Sequence, residues 1–326
     1  MKLEWEAAAE LVGEADRILV VTHIDPDGDA IGSMMGLTHA LRGVGKTVIP
    51  AVDGGVPDDL RFLPGTEGVL PALDAPDVDL VIVTDCSDVP RTGQSGQVAL
   101  SLGVPVINLD HHVTNLQFGQ INLVDAATVA ASEGVLDWMD AVGIAITDDS
   151  AFCLLTGLVT DTLCFRTDNV KADTLGKAQR LMQQGAPLSE IVQRTVNRRT
   201  AAGMRLWQVA MPGIHLEDHV IWTVITRDLY AQADYPGHDD AGLVGTLIQV
   251  DGAYISAVFK EKENGAIEMG FRAVPGFDTS QIALSLGGGG HKLASGATVA
   301  EPLETLVPRV IALLKAEALS KLPVIA

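Results

Sequence analysis

Three carboxylates and an imidazole fall within seven residues of the segment THIDPDGDAIGS (22–33). The side chains of His23, Asp25, Asp27 and Asp29 offer the nitrogen and oxygen ligands that suit Mn²⁺, Mg²⁺ or Zn²⁺, and dense carboxylates favour the harder ions. The segment joins a predicted strand to a predicted helix, whose free N–H groups would suit a phosphate. Capping that helix would need only one acidic residue. We therefore interpret the segment as a metal site.

Acidic and imidazole side chains also follow two other predicted strands. Asp85 ends the apolar run DLVIVTD (79–85), and the triplet of Asp110, His111 and His112 follows VPVINL. Adjacent strand residues point to opposite faces, so one histidine can bind a metal while the other meets a substrate. A lone aspartate at a strand end is ordinarily a turn residue. Beside other acidic strand ends, Asp85 is predicted to bridge metal ions.

A further carboxylate, Asp161, lies in GLVTDTLCFRTDN (157–169), near the C-terminal end of a predicted helix. A negative side chain is unfavourable there, because the helix dipole ends in negative partial charge. A bound cation would offset this cost. Asp161 is therefore a further predicted metal ligand.

Four consecutive glycines precede a histidine and a lysine in GGGGHKLASG (287–296). Glycines let backbone N–H groups approach an anion closely, and the two side chains add cationic donors. The spacing differs from a Walker motif, because no Gly-Lys-Ser/Thr follows. A flexible loop is the alternative to a phosphate or base clamp. Arg272 lies upstream of this segment.

The segments that carry the acidic residues alternate between strand-like and helix-like patterns. This alternation predicts an α/β fold with a doubly wound, mostly parallel sheet. Ligands of such sheets bind at the carboxyl ends of the strands, where the acidic and imidazole groups are placed. The predicted strands are 17–23, 46–52, 79–85 and 104–110, and the predicted helices between them include 30–43 and 94–102.

The pattern becomes helical near residue 127 and returns to strands near residue 219. We expect a catalytic domain over residues 1–186, a helical linker over 187–213 and a smaller α/β domain over 214–326. The helical middle is the candidate face for a homodimer. The predicted elements are helices 127–142, 148–163, 171–184, 187–210 and 302–321, strands 219–226, 253–261 and 266–274, and a Gly-rich loop 286–297.

Composition limits the class of protein. The chain has 326 residues, 47% of them hydrophobic, which supports a folded core. A formal charge of −20 argues against binding long nucleic acids. The three cysteines form no CxxC pair, and the acidic N-terminus does not resemble a signal peptide. No apolar run approaches the roughly 18 residues of a membrane span. These features predict a cytoplasmic protein without disulfides or membrane contact.

Together, THIDPDGDAIGS, the strand-end Asp85, the Asp-His-His triplet and GLVTDT resemble the four-motif signature of the DHH phosphoesterase superfamily. GGGGHKLASG resembles the DHH-associated domain that follows it in one branch, and the likeness spans nearly the whole chain. The resemblance implies hydrolysis of short oligoribonucleotides and dinucleotides to mononucleotides. It also implies conversion of 3′-phosphoadenosine 5′-phosphate (pAp) to AMP. Water activated by two metal ions would be the nucleophile.

The same resemblance implies the metal ligands. Mn²⁺ is the expected ion, with Mg²⁺ and Co²⁺ as alternatives, and Asp85 would bridge the two ions. The implied ligands are His23, Asp27 and Asp85 for one ion, and Asp29, Asp85, His111 and Asp161 for the other.

Roles in catalysis and substrate binding follow from the resemblance as well. His112 would face the scissile phosphate, with Asp85 and Asp110 as its catalytic partners. Asp110 would orient the histidines, as metal-bound imidazoles generally require. The far end of the substrate would be bound by Arg272, Gly288, Gly289, Gly290 and His291. Asp25 has no implied role as a ligand.

Other functions stay open at the level of sequence. One is a phosphodiesterase for cyclic di-AMP or for linear dinucleotides such as pApA and pGpG. Another is an inorganic pyrophosphatase, whose second domain would be expected to carry a Ser-Arg-Lys signature in place of GGGGHK. A non-catalytic nucleotide-binding module is the third, although a binder would not need a bridging aspartate.

Overall fold

The computed structural model describes residues 4–320. Between Arg198 and Arg199 the chain divides into two compact units, each with its own β-sheet. This division falls inside the predicted linker, and the domain limits given above stay a prediction. Within the described residues, no helix combines the length and the apolar character that crossing a bilayer demands.

The N-terminal unit contains five parallel strands in the order β2-β1-β3-β4-β5. That order defines a doubly wound sheet, and its topological switch point lies between β1 and β3. The predicted fold class is thereby confirmed, and one short strand is added to the four expected. The strands are β1 (Arg17–Val21), β2 (Thr47–Ala51), β3 (Leu80–Thr84), β4 (Val106–Asp110) and β5 (Ile121–Val124).

Strand register places the functional segments at one edge. Val21 of β1 pairs with Val83 of β3, and Thr84 pairs with Leu109 of β4, so the carboxyl ends of the three strands are level. The Thr22 hydroxyl donates to the carbonyl of Thr84 (2.8 Å) and joins the first two ends. All five residues of β3 are buried, as expected for a strand covered by helices on both faces.

Helices cover this sheet and supply the remaining site residues. The first helix was not predicted, and the others start or end within a few residues of the predicted limits. They are α1 (Trp5–Glu14), α2 (Gly28–Gly43), α3 (Gly93–Ser101), α4 (Ala131–Val142), α5 (Asp148–Asp161), α6 (Ala172–Gln183) and α7 (Leu188–Arg194).

Helices α2 and α5 pack against each other through glycines. A Cβ atom on Gly32 would lie 2.6 Å from the carbonyl oxygen of Cys153 and 2.8 Å from the backbone nitrogen of Gly157. One added to Gly36 would lie 2.6 Å from Leu154 Cδ2. We call this contact between α2 and α5 the glycine seam. It fixes the start of α2 beside the end of α5, where Asp161 lies.

The single helix predicted over 187–210 is wrong. Helix α7 ends at Arg194, and a separate helix, α8, covers Ala201–Ala210. The Thr200 hydroxyl accepts a hydrogen bond from the N–H of Gly203 (3.0 Å). This is an N-cap, so the chain starts a new helix there instead of continuing the old one.

The C-terminal unit is built on a six-stranded mixed sheet of order β10-β11-β9-β8-β7-β6, in which only β7 and β8 are parallel. It is an α/β unit, as expected. After α8 its elements are β6 (His215–Glu217), β7 (Val220–Ile225), α9 (Arg227–Gln232), α10 (Leu243–Leu247), β8 (Ile255–Glu261), β9 (Ile267–Ala273), α11 (Ser280–Ser285), β10 (Gly289–His291), β11 (Ala294–Val299) and α12 (Leu303–Ser320).

The Gly-rich segment is largely a hairpin, so the loop predicted over 286–297 needs correction. Gly289 pairs with Gly296 across β10 and β11. Gly290 has φ +126°, and a Cβ atom there would lie 2.6 Å from the Ala294 carbonyl oxygen. Glycine is needed because the two backbones approach closely. Alternating apolar residues, the usual signal of a strand, are missing here for that reason.

The glycine seam predicts the effect of one added methyl group. Gly32→Ala should lower the free energy of unfolding by about 1–3 kcal/mol, because backbone atoms of α5 cannot move aside cheaply. Urea unfolding measures this loss. Gly176→Ala is the matched control, since nothing lies within 4 Å of its Cβ position in α6. The control should gain about 0.5–1 kcal/mol from helix propensity. Equal stability of Gly32→Ala and the unchanged protein would contradict the seam.

Candidate metal centre

Side chains from three strand ends and two helices converge at the switch point of the N-terminal sheet. Three groups of possible ligand atoms lie within 4.8 Å of one another. All of the metal ligands implied by the sequence belong to these groups, whereas Asp25 belongs to none. The groups are His23, Asp27 and Asp85; Asp29, His111 and Asp161; and Asp85, Asp110, His111 and His112.

Asp85 is the centre of this cluster. It directly follows β3 with a left-handed φ of +53°, and it is only 2% exposed. Its Oδ1 atom has no hydrogen-bond partner among the described residues, although it lies 3.6 Å from His111 Nε2 and 3.5 Å from His112 Nδ1. Its Oδ2 atom lies 3.6 Å from His23 Nε2. These separations are too long for hydrogen bonds.

The segment after β1 presents His23 and Asp27. Nδ1 of His23 donates to the Ile24 carbonyl (2.7 Å), which leaves Nε2, the nitrogen nearer Asp85, free to bind a metal. Asp27 is the N-cap of α2, and its Oδ1 accepts from the N–H groups of Asp29 and Ala30, both at 3.0 Å. The capping interpretation is therefore correct for Asp27, and its other oxygen is still available to the cluster.

Asp29, His111 and Asp161 form the second group. The Asp29 carboxylate accepts from the N–H groups of Ala131 (2.5 Å) and Ser132 (3.0 Å), and so it caps α4 from outside that helix. Nε2 of His111 lies 3.9 Å from Asp29 and 3.8 Å from Asp161, which ends α5 as predicted. The glycine seam is what brings these two helix ends together.

Asp110 holds the neighbouring histidine in place. Its Oδ1 accepts from His112 Nδ1 (2.7 Å) and from the N–H of His111 (2.8 Å), and its Oδ2 accepts from Asn115 Nδ2 (2.6 Å). Asn115 also contacts the carbonyl of Cys86 (3.1 Å). Sequence reasoning missed Asn115, because an asparagine in a polar turn carries no pattern that separates it from other turn residues.

Burial and like charge dominate the electrostatics. Desolvation, followed by the charges of neighbouring aspartates, raises the pKa of Asp161 to about 8 and places that of Asp85 well above its ordinary value. Burial lowers the pKa of His111. The hydrogen bond to Asp110 raises the pKa of His112 to about 9. Although burial opposes it, the hydrogen bond from His112 lowers the pKa of Asp110.

These observations fit divalent metal ions. Asp85 Oδ1 is a buried carboxylate oxygen without a hydrogen bond, and such a group requires an explanation such as a bound ion. Oxygen ligands with a few imidazoles suit Mn²⁺ or Mg²⁺. Both groups of three can include an oxygen of Asp85, because His111 lies 3.6 Å from it.

The candidate substrate-binding residues lie in the C-terminal unit. Arg272 on β9 and His291 on β10 pair with Ala294 of the intervening strand β11, so the three share one level of the sheet. Nη1 of Arg272 donates to the Phe271 carbonyl (2.8 Å), and burial lowers the pKa of the guanidinium. Gly288 precedes β10, and Gly289 and Gly290 belong to it. The imidazole of His291 is outside the described part of the structure.

Comparison with known proteins agrees with this geometry. Residues 17–158 match the DHH family, N-terminal domain, and residues 223–318 match the DHHA1 domain. The chain is 34% identical to the bifunctional oligoribonuclease and PAP phosphatase NrnA of Thermus thermophilus, over 86% of this chain and 84% of that protein. It therefore belongs to the DHH family.

Solved structures show the same fold. An exopolyphosphatase-related protein from Bacteroides fragilis superposes with a TM-score of 0.89 at 23% identity, over 96% of this chain and 97% of that one. RecJ of Thermus thermophilus in complex with Mn²⁺ superposes with a TM-score of 0.57 at 18% identity. That alignment covers 99% of this chain and 56% of RecJ.

The shifted pKa values predict how the metal-free protein responds to pH. Between about pH 4 and 8 folded Asp161 keeps a proton that the unfolded chain has lost, and between about pH 6.5 and 9 the same holds for His112. The lowered pKa of His111 acts in the opposite direction, but the raised pKa values of Asp29 and Asp85 add to the effect of Asp161. In sum the unfolded state binds fewer protons, so stability should fall as the pH rises from 5 to 9. Thermal unfolding in EDTA measures this.

Added Mn²⁺ should restore stability more at pH 8 than at pH 5.5, because protons compete with the ion at the lower pH. Asp161→Asn should flatten the pH dependence of the metal-free protein. Stability that stays constant or rises from pH 5 to 8 in EDTA would contradict the crowding of these groups.

Proposed function

We propose that the protein is a metal-dependent phosphoesterase that hydrolyses short oligoribonucleotides and dinucleotides to mononucleotides, and pAp to AMP. The observation that carries this proposal is the pair of ligand groups around Asp85 at the switch point of the sheet. The relative from Thermus thermophilus, named a bifunctional oligoribonuclease and PAP phosphatase, supports the choice of substrates.

Two divalent ions, with Mn²⁺ first, are proposed for these ligands. One ion would be held by His23, Asp27 and Asp85. The other would be held by Asp29, Asp85, His111 and Asp161. Bound there, the ions would polarise a phosphate oxygen and allow water to attack at neutral pH. The Mn²⁺ complex of RecJ, which shares the fold, supports the choice of ion.

The chain's own residues would orient the substrate and supply a proton donor to it. Nδ1 of His112 donates to Asp110, so its Nε2 is free to face a substrate. The hydrogen bond to Asp110 favours the protonated form of His112, and an Nε2–H group can stabilise negative charge on a phosphate or a leaving oxygen. Asn115 fixes Asp110 from the other side, so the ring orientation of His112 is set before substrate binds.

In the C-terminal unit, we propose that Arg272, Gly288, Gly289, Gly290 and His291 bind the substrate. Close backbone approach in the β10–β11 hairpin leaves little room for side chains, which suits contact between N–H groups and an anion. A net charge of −20 further favours small anions over long polyanions. The homodimer stays a prediction.

Removing the shared carboxylate tests the site. Asp85→Asn should lower kcat/KM for pAp more than about 100-fold. Mutation of residues that only orient metal ligands already lowers metal affinity or activity about 10- to 100-fold, and Asp85 is itself a proposed ligand. Bound Mn²⁺, measured by elemental analysis, should fall as well. In EDTA at pH 8 the variant should be at least as stable as the unchanged protein, because a crowded buried charge is gone.

Asp140→Asn is the matched control, since this exposed carboxylate pairs with Arg180 away from the cluster. It should keep both activity and bound metal. Wild-type turnover by Asp85→Asn would exclude the shared-ligand arrangement.

A substrate panel in Mn²⁺ tests the reaction itself. The panel contains pAp, pApA, pGpG, cyclic di-AMP, pyrophosphate, and RNA of 5 and 20 nucleotides. We expect turnover of pAp and the linear dinucleotides, a steep fall in rate with RNA length, and no turnover of pyrophosphate. Equal rates on the dinucleotide and the 20-mer would indicate a processive exonuclease. Exclusive cleavage of cyclic di-AMP or of pyrophosphate would favour those functions, and tight binding without product would indicate a binding module.

A further inference from the structure

A cationic residue, Arg91, lies on the loop that leaves the metal centre. This loop runs from Asp85 into a short 3₁₀ turn that contains Arg91. The backbone N–H of Arg91 donates to Asp88 Oδ1 (2.9 Å), and its carbonyl accepts from the N–H of Ile24 (2.8 Å). Ile24 directly follows His23. Arg91 is therefore fixed beside the segments that carry two of the proposed metal ligands.

The guanidinium of Arg91 differs from the other guanidinium groups of the N-terminal unit. Within residues 4–198 it makes no hydrogen bond or ion pair, whereas every other arginine there has a partner. Its charge is close enough to act on the His112 side chain. The other arginines pair as follows: Arg17 with Asp77, Arg42 with Val48, Arg61 with Asp58, Arg166 with Leu163, Arg180 with Asp140, Arg194 with Glu190, and Arg198 with Asp59.

The charge balance of the cluster indicates what the half-buried guanidinium of Arg91 would bind. The cluster holds five carboxylates, so two divalent ions would leave no excess of positive charge there. A phosphate group that enters this site brings more negative charge into it. A guanidinium meets two phosphate oxygens at once with a pair of parallel N–H donors, a geometry that suits phosphate better than a point charge does. The five are Asp27, Asp29, Asp85, Asp110 and Asp161.

We propose that Arg91 is a substrate-binding residue whose guanidinium contacts non-bridging oxygens of the phosphate held at the metal centre. This inference deepens the proposed function and rests on it for the identity of the substrate. The binding of a phosphate group itself does not depend on which nucleotide carries it. Inorganic phosphate therefore serves as a probe that requires no turnover.

Titration calorimetry of the full chain in saturating Mn²⁺ measures phosphate binding directly. Arg91→Gln should bind inorganic phosphate about 10- to 100-fold more weakly than the unchanged protein, the range expected for lost charge-assisted hydrogen bonds. Arg91→Lys should fall between the two. Arg17→Gln is the matched control, because it also removes one positive charge but lies at the amino end of β1. Its phosphate affinity should equal that of the unchanged protein.

Two further measurements separate this role from a structural one. Bound Mn²⁺ and thermal stability should be the same in Arg91→Gln and the unchanged protein, and kcat/KM for pAp should fall by a factor similar to the loss in phosphate affinity. Unchanged phosphate affinity in Arg91→Gln, a loss accompanied by equal loss of Mn²⁺, or no phosphate binding by the unchanged protein would overturn the proposal. If phosphate affinity depends on Arg91 while no nucleotide is hydrolysed, the proposed function fails and the phosphate contact stands.

Discussion

The architecture of the N-terminal unit is built around buried carboxylates that repel one another and that the rest of the fold must hold together. Asp85 is almost fully buried, has an oxygen without a hydrogen bond, and stands next to other aspartates that raise its pKa. A folded chain tolerates such a group only when the rest of the structure holds it there. In proteins, crowded carboxylates of this kind are ordinarily neutralised by a proton or by a metal ion. The choice between these two underlies the pH dependence predicted for the metal-free protein.

Three separate features of the fold hold these carboxylates in place. Parallel strands with level carboxyl ends place the segments after β1, β3 and β4 at one edge. The N-terminus of α4 holds the Asp29 carboxylate with two backbone N–H groups. The glycine seam brings the ends of α2 and α5 together. Without any one of these features, proposed ligands that are distant in the sequence would no longer lie close together in space.

Much of this arrangement could be predicted from the sequence. Strand-end placement follows from the apolar runs, and the residue types of the 22–33 segment and of the Asp-His-His triplet indicate metal chemistry. The cap on α4 could not be predicted, because Asp29 and Ala131 are about a hundred positions apart. Asn115 acts through contacts that no local pattern marks. The break before α8 depends on one capping threonine inside an otherwise helical pattern.

The Gly-rich hairpin escaped prediction for a different reason. Strands are recognised by side chains that alternate between apolar and polar, whereas two of the three residues of β10 are glycines. What defines this hairpin is the room between two backbones, which is a property of the pairing and not of either segment alone.

The glycine seam has a consequence for ion selectivity. Oxygen ligands lie about 2.0–2.1 Å from Mg²⁺ and about 2.3–2.6 Å from Ca²⁺, so a few tenths of an ångström distinguish one cation from another. Asp29 on α2 and Asp161 on α5 are proposed ligands, so the residues of the glycine seam would set the spacing of a cation site there by how closely the two helix backbones approach. The radius of the cation preferred there would thus depend partly on the packed interior between the two helices, where a single added methyl group would change the approach of the backbones.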